Sequence, residues 1–325
     1  RSMVLMRAEV PGPTASKLVP RMRTTAKILY GTYSAMTVVL IVLLLLGGMP
    51  AFDAVCTAMG TAGTGGFCVR NIGIAYYDSA YIDVVLSVFM LLFSINFNLY
   101  YLILIRRVRE AVRSEELRWF LGVVACATVV ITLCILPQYG QVGQSLRYAF
   151  FQVSSIISTT GFATADFALW PVLAQEVLLV LMFIGACAGS TGGGIKASRF
   201  AIACKSSGAE IHHVLHPRAV TVVRLDGKAV EKETITGTRN YIIGSLLILT
   251  LVTLLIAVDG FDFTTNFSAT LACFSNIGPG LAQVGPMSNF GAYSPFSKIL
   301  LTITMLTGRL EAVSYTHLRA HETKA

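Results

Sequence analysis

The chain has 325 residues, 54% of them hydrophobic and 13% charged, with a mean hydropathy of +0.69 and a formal net charge of +8. A chain this apolar excludes a single water-soluble core and reads as a polytopic membrane protein. The positive charge does not argue for nucleic acid, because the basic residues are scattered through loops between apolar runs, where they set membrane orientation.

Residues 1–25 form a basic, proline-bearing segment (Pro11, Pro13, Pro20, Arg21, Arg23) assigned to the cytoplasm, with no cleavable signal pattern. The first unit covers 26–118. Residues 26–47 are a span, and 50–59 are a shorter half-apolar piece running into Gly63-Thr64-Gly65-Gly66-Phe67. Residues 81–105 return as a second span, with Asn96 and Asn98 inside it, and Arg106, Arg107 and Arg109 follow.

The second unit, 119–240, repeats the plan. Its first span, 119–136, is expected to stop at Pro137, and the half-span 145–157 leads into Ser158-Thr159-Thr160-Gly161-Phe162. The return span starts at 176 and is interrupted by Gly189-Ser190-Thr191-Gly192-Gly193-Gly194, because each glycine costs a helix about 1 kcal/mol against alanine. It resumes near Ile195 and ends in a polar stretch, 205–240. There, His212 and His216 lie four residues apart beside His213, but no carboxylate completes a metal set. A cytoplasmic loop or partner-contact surface is the expectation. The third unit, 241–313, holds a span at 241–258, a half-span at 264–274, the loop Ser275-Asn276-Ile277-Gly278-Pro279-Gly280, and a span starting near Phe296.

Charge placement orients these units. Unit ends carry Lys27, Arg106, Arg107, Arg109, Lys205, Arg218, Arg224 and Arg239, whereas the loop-side connections carry Asp53, Asp78, Asp166, Asp259 and Asp262 against Arg70, Arg147 and Lys298. The positive-inside rule puts the ends in the cytoplasm and the loops outside. The seven cysteines form no C-x-x-C pair, so no zinc or disulfide framework is expected, and no cofactor site is nominated.

A half-span followed by a glycine- and hydroxyl-rich turn is too short to cross a bilayer, which takes about 20 apolar residues. Non-helical backbone at membrane depth must be buried in protein or line a water-filled cavity. Backbone carbonyls in such a loop can replace the water around a cation, and glycine allows the backbone to aim them inward. Taken singly, each loop also reads as an ordinary turn; three at equivalent places favour a pore. Gly66, Gly161 and Gly278 are the central candidates, with Thr64, Thr160 and Asn276 as the polar residues shortly before them. Asp166, just past the second loop, either attracts cations or caps the turn.

The stretches Thr160-Gly161-Phe162-Ala163-Thr164-Ala165-Asp166, Gly185 to Lys196, Asn276-Ile277-Gly278-Pro279-Gly280 and Gly308-Arg309-Leu310-Glu311 resemble the Trk/Ktr potassium-uptake family, its TrkH branch in particular. That resemblance implies an all-α membrane fold of repeated span, half-helix, filter-loop, span units around a pseudo-fourfold ion pathway, in a bacterial cytoplasmic membrane. It implies a potassium filter at Thr64, Gly65, Gly66, Thr159, Thr160, Gly161, Asn276, Ile277 and Gly278. It also implies a gate built from Gly189, Ser190, Thr191, Gly192, Gly193 and Gly194 with Arg309, an intramembrane charge whose default reading is functional. Glu311 is expected to face a neighbouring helix or a dimer surface. Potassium would be the substrate, and no cofactor would be tightly bound. The implied partners are membrane lipid, a second copy of the chain, and a soluble nucleotide-binding regulatory subunit on the cytoplasmic face.

The family has four units and this sequence shows three, so its first filter loop is expected to lie outside the sequence. Residues 314–325 are polar and resemble vector-derived sequence. Two other readings stand beside uptake of potassium. One is a non-conducting subunit, or one with a different sodium/potassium preference. The other is a polytopic membrane enzyme, for which the spans offer no His and no paired carboxylates.

Overall fold

The computed structural model describes residues 22–216, 218 and 222–310. The expectations for 1–21, Glu311 and 314–325 lie outside the described residues. The fold is all-α; the strands among the described residues are one two-stranded hairpin, β1 (Arg224–Leu225) with β2 (Lys228–Ala229). Among the described residues, three helices are long and apolar enough to cross a membrane by themselves, over Lys27–Leu46, Glu115–Tyr139 and Lys232–Asp259.

In chain order, α1 (Met22–Leu46) is followed by the half-helix α2 (Ala51–Ala62). The return path is α3 (Ala80–Ser94) and α4 (Phe97–Leu104), with a short α5 (Val108–Arg113) after it. Next come α6 (Glu115–Tyr139), half-helix α7 (Val142–Ile157), α8 (Val172–Ile184) and α9 (Ala197–Leu215). The last part holds α10 (Lys232–Ile256), half-helix α11 (Phe263–Ser275) and α12 (Pro295–Arg309).

The packing repeats as the sequence does. Each opening span lies against its own half-helix: α1 on α2, α6 on α7, α10 on α11. Each return helix lies against the half-helix of the next unit, α3 on α7 and α8 on α11. The buried clusters interlock accordingly. Phe151 and Phe162 of the second unit are buried in the core of the first, beside Leu86, Met90 and Phe93. Leu271, Phe274 and Ile277 of the third enter the core of the second, beside Leu178 and Met182.

Three expectations are corrected. Residues 81–105 are not one continuous helix: α3 and α4 meet at 93°. Asn96 breaks the helix by capping the next one, its Oδ1 accepting from the Asn98 N–H at 2.9 Å, a local bond that asparagine prefers to a helix interior. Pro137 does not end its helix. It sits inside the last turn, where its missing N–H forgoes the bond to the Leu133 carbonyl, and α6 still runs to Tyr139, capped by Gly140 at φ +69°. The stretch 205–240 is not all loop, because α9 continues to Leu215 and α10 already starts at Lys232.

Candidate ion-pathway site

The three half-helices end in the same motif. Thr64, Thr159 and Asn276 adopt left-handed φ values of +51°, +58° and +56°. Their N–H groups donate to Thr61, Ile156 and Cys273, and those of the following residues, Gly65, Thr160 and Ile277, donate to Gly60, Ser155 and Ala272. This bond pair is a Schellman cap, which satisfies two carbonyls of the last turn and reverses the chain. The next residue in each case is Gly66, Gly161 or Gly278, with φ of +65°, +86° and +105°. The register therefore pairs Thr159, not Thr160, with Thr64 and Asn276. Thr160 plays the part of Gly65 and Ile277.

The loops also meet one another. A Cβ on Gly66 would collide with the carbonyl of Thr160, and one on Gly161 with the carbonyl of Ile277. Each loop thus lays its glycine on the carbonyl just ahead of the next loop's glycine. The succession stops at Gly278, where a Cβ meets nothing within 4 Å. On the other flank, Phe67 is 82% exposed, whereas its counterpart Phe162 is 1% exposed in the neighbouring core. The ring of loops is open between the third and the first.

Side chains brace the loops differently. In the second loop, Ser155 Oγ donates to the Phe162 carbonyl at 2.5 Å, Gln152 Nε2 donates to the Ala165 carbonyl at 3.2 Å, and the Ser158 and Thr160 hydroxyls lie 2.7 Å apart. In the third, Asn276 Nδ2 donates to the Met305 carbonyl at 3.1 Å. Beyond the first, Asp53 accepts from Arg70 Nε at 3.0 Å and from the Tyr77 hydroxyl at 2.6 Å. The Tyr77 hydrogen bond, aided by Arg70, holds the Asp53 carboxyl below its ordinary range. Burial, and the cost of losing that bond to a carboxylate, push Tyr77 up to about 12. Asp166 caps its turn, its Oδ1 accepting from the Ala168 N–H at 3.0 Å.

The glycine-rich segment between α8 and α9 touches loops of all three units. Gly193 N–H donates to Thr159 Oγ1 at 2.6 Å, and Thr64 Oγ1 donates to the Thr191 carbonyl at 3.1 Å. Arg309 Nη1 donates to that same carbonyl at 3.1 Å. A Cβ on Gly193 would strike the Ser275 carbonyl, and one on Gly192 would lie 3.0 Å from the Ser158 carbonyl, so the backbone here fits only without side chains. Ser190 Oγ donates back to the Cys187 carbonyl at 2.7 Å. Arg309 lies at the end of α12 and is exposed.

Several anchors of this segment escape a reading of the sequence. The break at Ile95 frees the last carbonyls of α3. Ser94 accepts from the Cys187 N–H at 3.0 Å, and Phe93 accepts from the Thr191 hydroxyl at 3.2 Å. Phe97 N–H donates to the Gly189 carbonyl at 3.1 Å. Buried Glu116 accepts from the Ala188 N–H at 2.7 Å, and buried Lys196 donates to the Gly192 carbonyl. A charged residue in an apolar setting was the available signal for Lys196. Among the described residues no group of three or more His, Cys, Asp or Glu is placed to hold a metal ion, and His212 stacks on His216 with centroids 4.8 Å apart.

Repeated half-helices, capped loops converging on one another and a non-helical segment against them define a polytopic helical membrane protein of the transporter class. The chain belongs to the TrkH family, described as cation transport proteins, whose match covers residues 1–325. It is 36% identical over 313 residues to the Trk system potassium uptake protein TrkH of Salmonella typhimurium, covering 95% of this chain and 64% of that protein. It is 35% identical over 311 residues to the Trk system potassium uptake protein TrkG of Escherichia coli K12, covering 94% and 64%. The crystal structure of the potassium transporter TrkH from Vibrio parahaemolyticus superposes with a TM-score of 0.85 at 31% identity, covering 92% of this chain and 65% of that one. The chain thus spans less than two thirds of the length of these relatives.

Proposed function

We propose that this chain is the larger part of a potassium-uptake protein of the cytoplasmic membrane. In this reading the backbone carbonyls around Gly66, Gly161 and Gly278 form the cation filter. The observation that carries it is the succession of glycine on carbonyl from loop to loop, Gly66 on Thr160 and Gly161 on Ile277. Loops packed this way keep their carbonyls around one axis, which is what stripping water from a cation needs. The open side, between Gly278 and exposed Phe67, is closed by a fourth loop from the part of the longer relatives outside this sequence. Filter residues are Thr64, Gly65, Gly66, Thr159, Thr160, Gly161, Asn276, Ile277 and Gly278.

Residues Gly189 to Gly194 with Arg309 form the gate. The hydrogen bonds from Thr64 and Arg309 to the Thr191 carbonyl support this, since they put a movable backbone and a fixed positive charge beside the loops. The protein works as a homodimer with a soluble nucleotide-binding subunit on its cytoplasmic face, as the family resemblance implies. Reconstitution into liposomes tests the reading: potassium should move down its gradient without chemical turnover, and faster than sodium. Equal sodium and potassium flux would remove the filter assignment, and turnover of a substrate without flux would replace a transporter by an enzyme.

A further inference from the structure

We propose that the groove between the cytoplasmic ends of α6 and α9 is a binding site for an anionic phospholipid. The groove encloses about 550 Å³, within the ~300–1,000 Å³ common for ligand sites. Its wall is one stripe of α6, Arg118, Trp119, Gly122, Val123 and Cys126, residues three and four apart and therefore on one helix face. Lys205 of α9 stands across from them.

The chemistry is layered as a lipid is. Arg118, Trp119 and Lys205 sit at the charged end of the span, where headgroups and interfacial indoles belong. One turn deeper, Gly122 adds no side chain to the groove floor, a Cβ there meeting nothing within 4 Å, and Val123 and Cys126 continue the wall with apolar surface. Lys205 Nζ donates to Glu115 at 2.6 Å and to the Arg224 carbonyl at 2.8 Å, leaving one of its three hydrogens for a phosphate oxygen. Arg118 supplies a planar donor fork beside it. The adjoining hairpin adds Arg224 and Asp226, whose Oδ1 accepts from the Glu115 N–H at 2.6 Å, so Glu115 and Asp226 offset two of the three cations Arg118, Lys205 and Arg224 and the mouth keeps one net positive charge, with Arg109 and Arg113 preceding it in the chain. Basic pockets between helices on the cytoplasmic side suit anionic headgroups for this reason.

The two helices that form the site each lead to the glycine-rich segment. Glu116, next to Glu115, holds the Ala188 N–H, and Lys205 lies on the helix that leaves the segment. A lipid seated here braces both flanks.

The inference rests on the membrane orientation drawn from the charged unit ends, not on conduction, so a binding readout separates the two. The purified chain is titrated with phosphatidylglycerol and with phosphatidylethanolamine, and retained lipid is read by native mass spectrometry. Phosphatidylglycerol should be retained preferentially, and Arg118→Ala should weaken it about fivefold, the effect of one cation at an anionic surface. Gly122→Phe should fill the groove and lower retention of both lipids, whereas Gly122→Ala should retain them as wild type does. Unfolding temperatures confirm that each variant is folded. Equal retention of the two lipids, or unchanged binding in Gly122→Phe, would overturn the proposal. So would oxidative Cys126 cross-linking between two copies, which would make the groove a protein interface.

Discussion

Replacing Gly161 by alanine tests whether the loops act through their mutual contact. At φ +86° an L-residue is strained, by about 1–2 kcal/mol in the left-handed region. The new methyl would also lie 3.1 Å from Pro279 Cδ and far inside contact distance of the Ile277 carbonyl oxygen. Carbon atoms rest at ~3.5–4.0 Å, so the third loop must retreat, and overpacking of this kind costs about 1–3 kcal/mol. The sum, about 2–5 kcal/mol, is within the 5–15 kcal/mol that ordinary domains hold in reserve. The variant should therefore fold with a lowered unfolding temperature, while the displaced Ile277 carbonyl weakens ion discrimination. The assays are thermal unfolding in detergent and competitive rubidium and sodium uptake in cells dependent on this protein for potassium. Gly208→Ala, in α9 with nothing within 4 Å of its Cβ, is the control: it should leave ion preference unchanged and, since alanine favours a helix over glycine by about 1 kcal/mol, should not lower the unfolding temperature. Unaltered unfolding and unaltered ion preference in Gly161→Ala would refute the account of loops in contact.

Other perturbations address the gate and the outer mouth. Arg309→Ala should raise resting cation leak in liposomes, and Arg309→Lys should keep more of the barrier because the charge remains; equal leak in all three would leave this arginine a mere anchor. Thr159→Ala removes the acceptor for the Gly193 N–H, a buried bond whose loss costs about 1–3 kcal/mol, and should increase leak, whereas Thr159→Ser should restore the resting state. Asp53 has a depressed carboxyl pKa, so its contribution is complete above the unfolded value of about 3.9 and is lost as pH falls through the folded value. Proteolysis of the loop that carries Arg70 and Tyr77 should stay flat from about pH 8 to 5 and rise only below about pH 4. Tyr77→Phe, which removes the strongest cause of the depression, should shift that rise to higher pH.

Much of the architecture was legible because membrane-depth loops demand a narrow set of residues. Glycines and hydroxyls after a half-length apolar run marked all three loops, and Gly192-Gly193-Gly194 marked the break in the second return path. The register of the second loop was not legible to within one residue, since Thr159 and Thr160 are the same residue type and only the cap hydrogen bonds distinguish them. The 93° turn at Asn96 was hidden because hydropathy measures length and not direction. Glu116 could not be nominated either: its partner, the Ala188 N–H, is 72 positions away, and a carboxylate within a charged stretch looks like any other surface acid. Pro137 misled because a proline constrains the turn before it and forbids no helical residue after it, so the helix reaches Tyr139.

The recurring caps at Thr64, Thr159 and Asn276 carry one further implication. Each loop is shaped by bonds to the last turn of its own half-helix, and only afterwards pressed against its neighbour. The filter wall proposed above is thus assembled from pieces that arrive already bent, like staves cut before the cask is hooped. Side chains around the circumference are free to differ, glycine in one piece, threonine in another and isoleucine in the third, while the oxygens keep their aim. In that reading an ion would meet a nearly symmetric inner surface and an asymmetric outer jacket, so side chains away from the glycine contacts can be changed in one sector without recutting the others, whereas Gly66 and Gly161 tie each sector to the next.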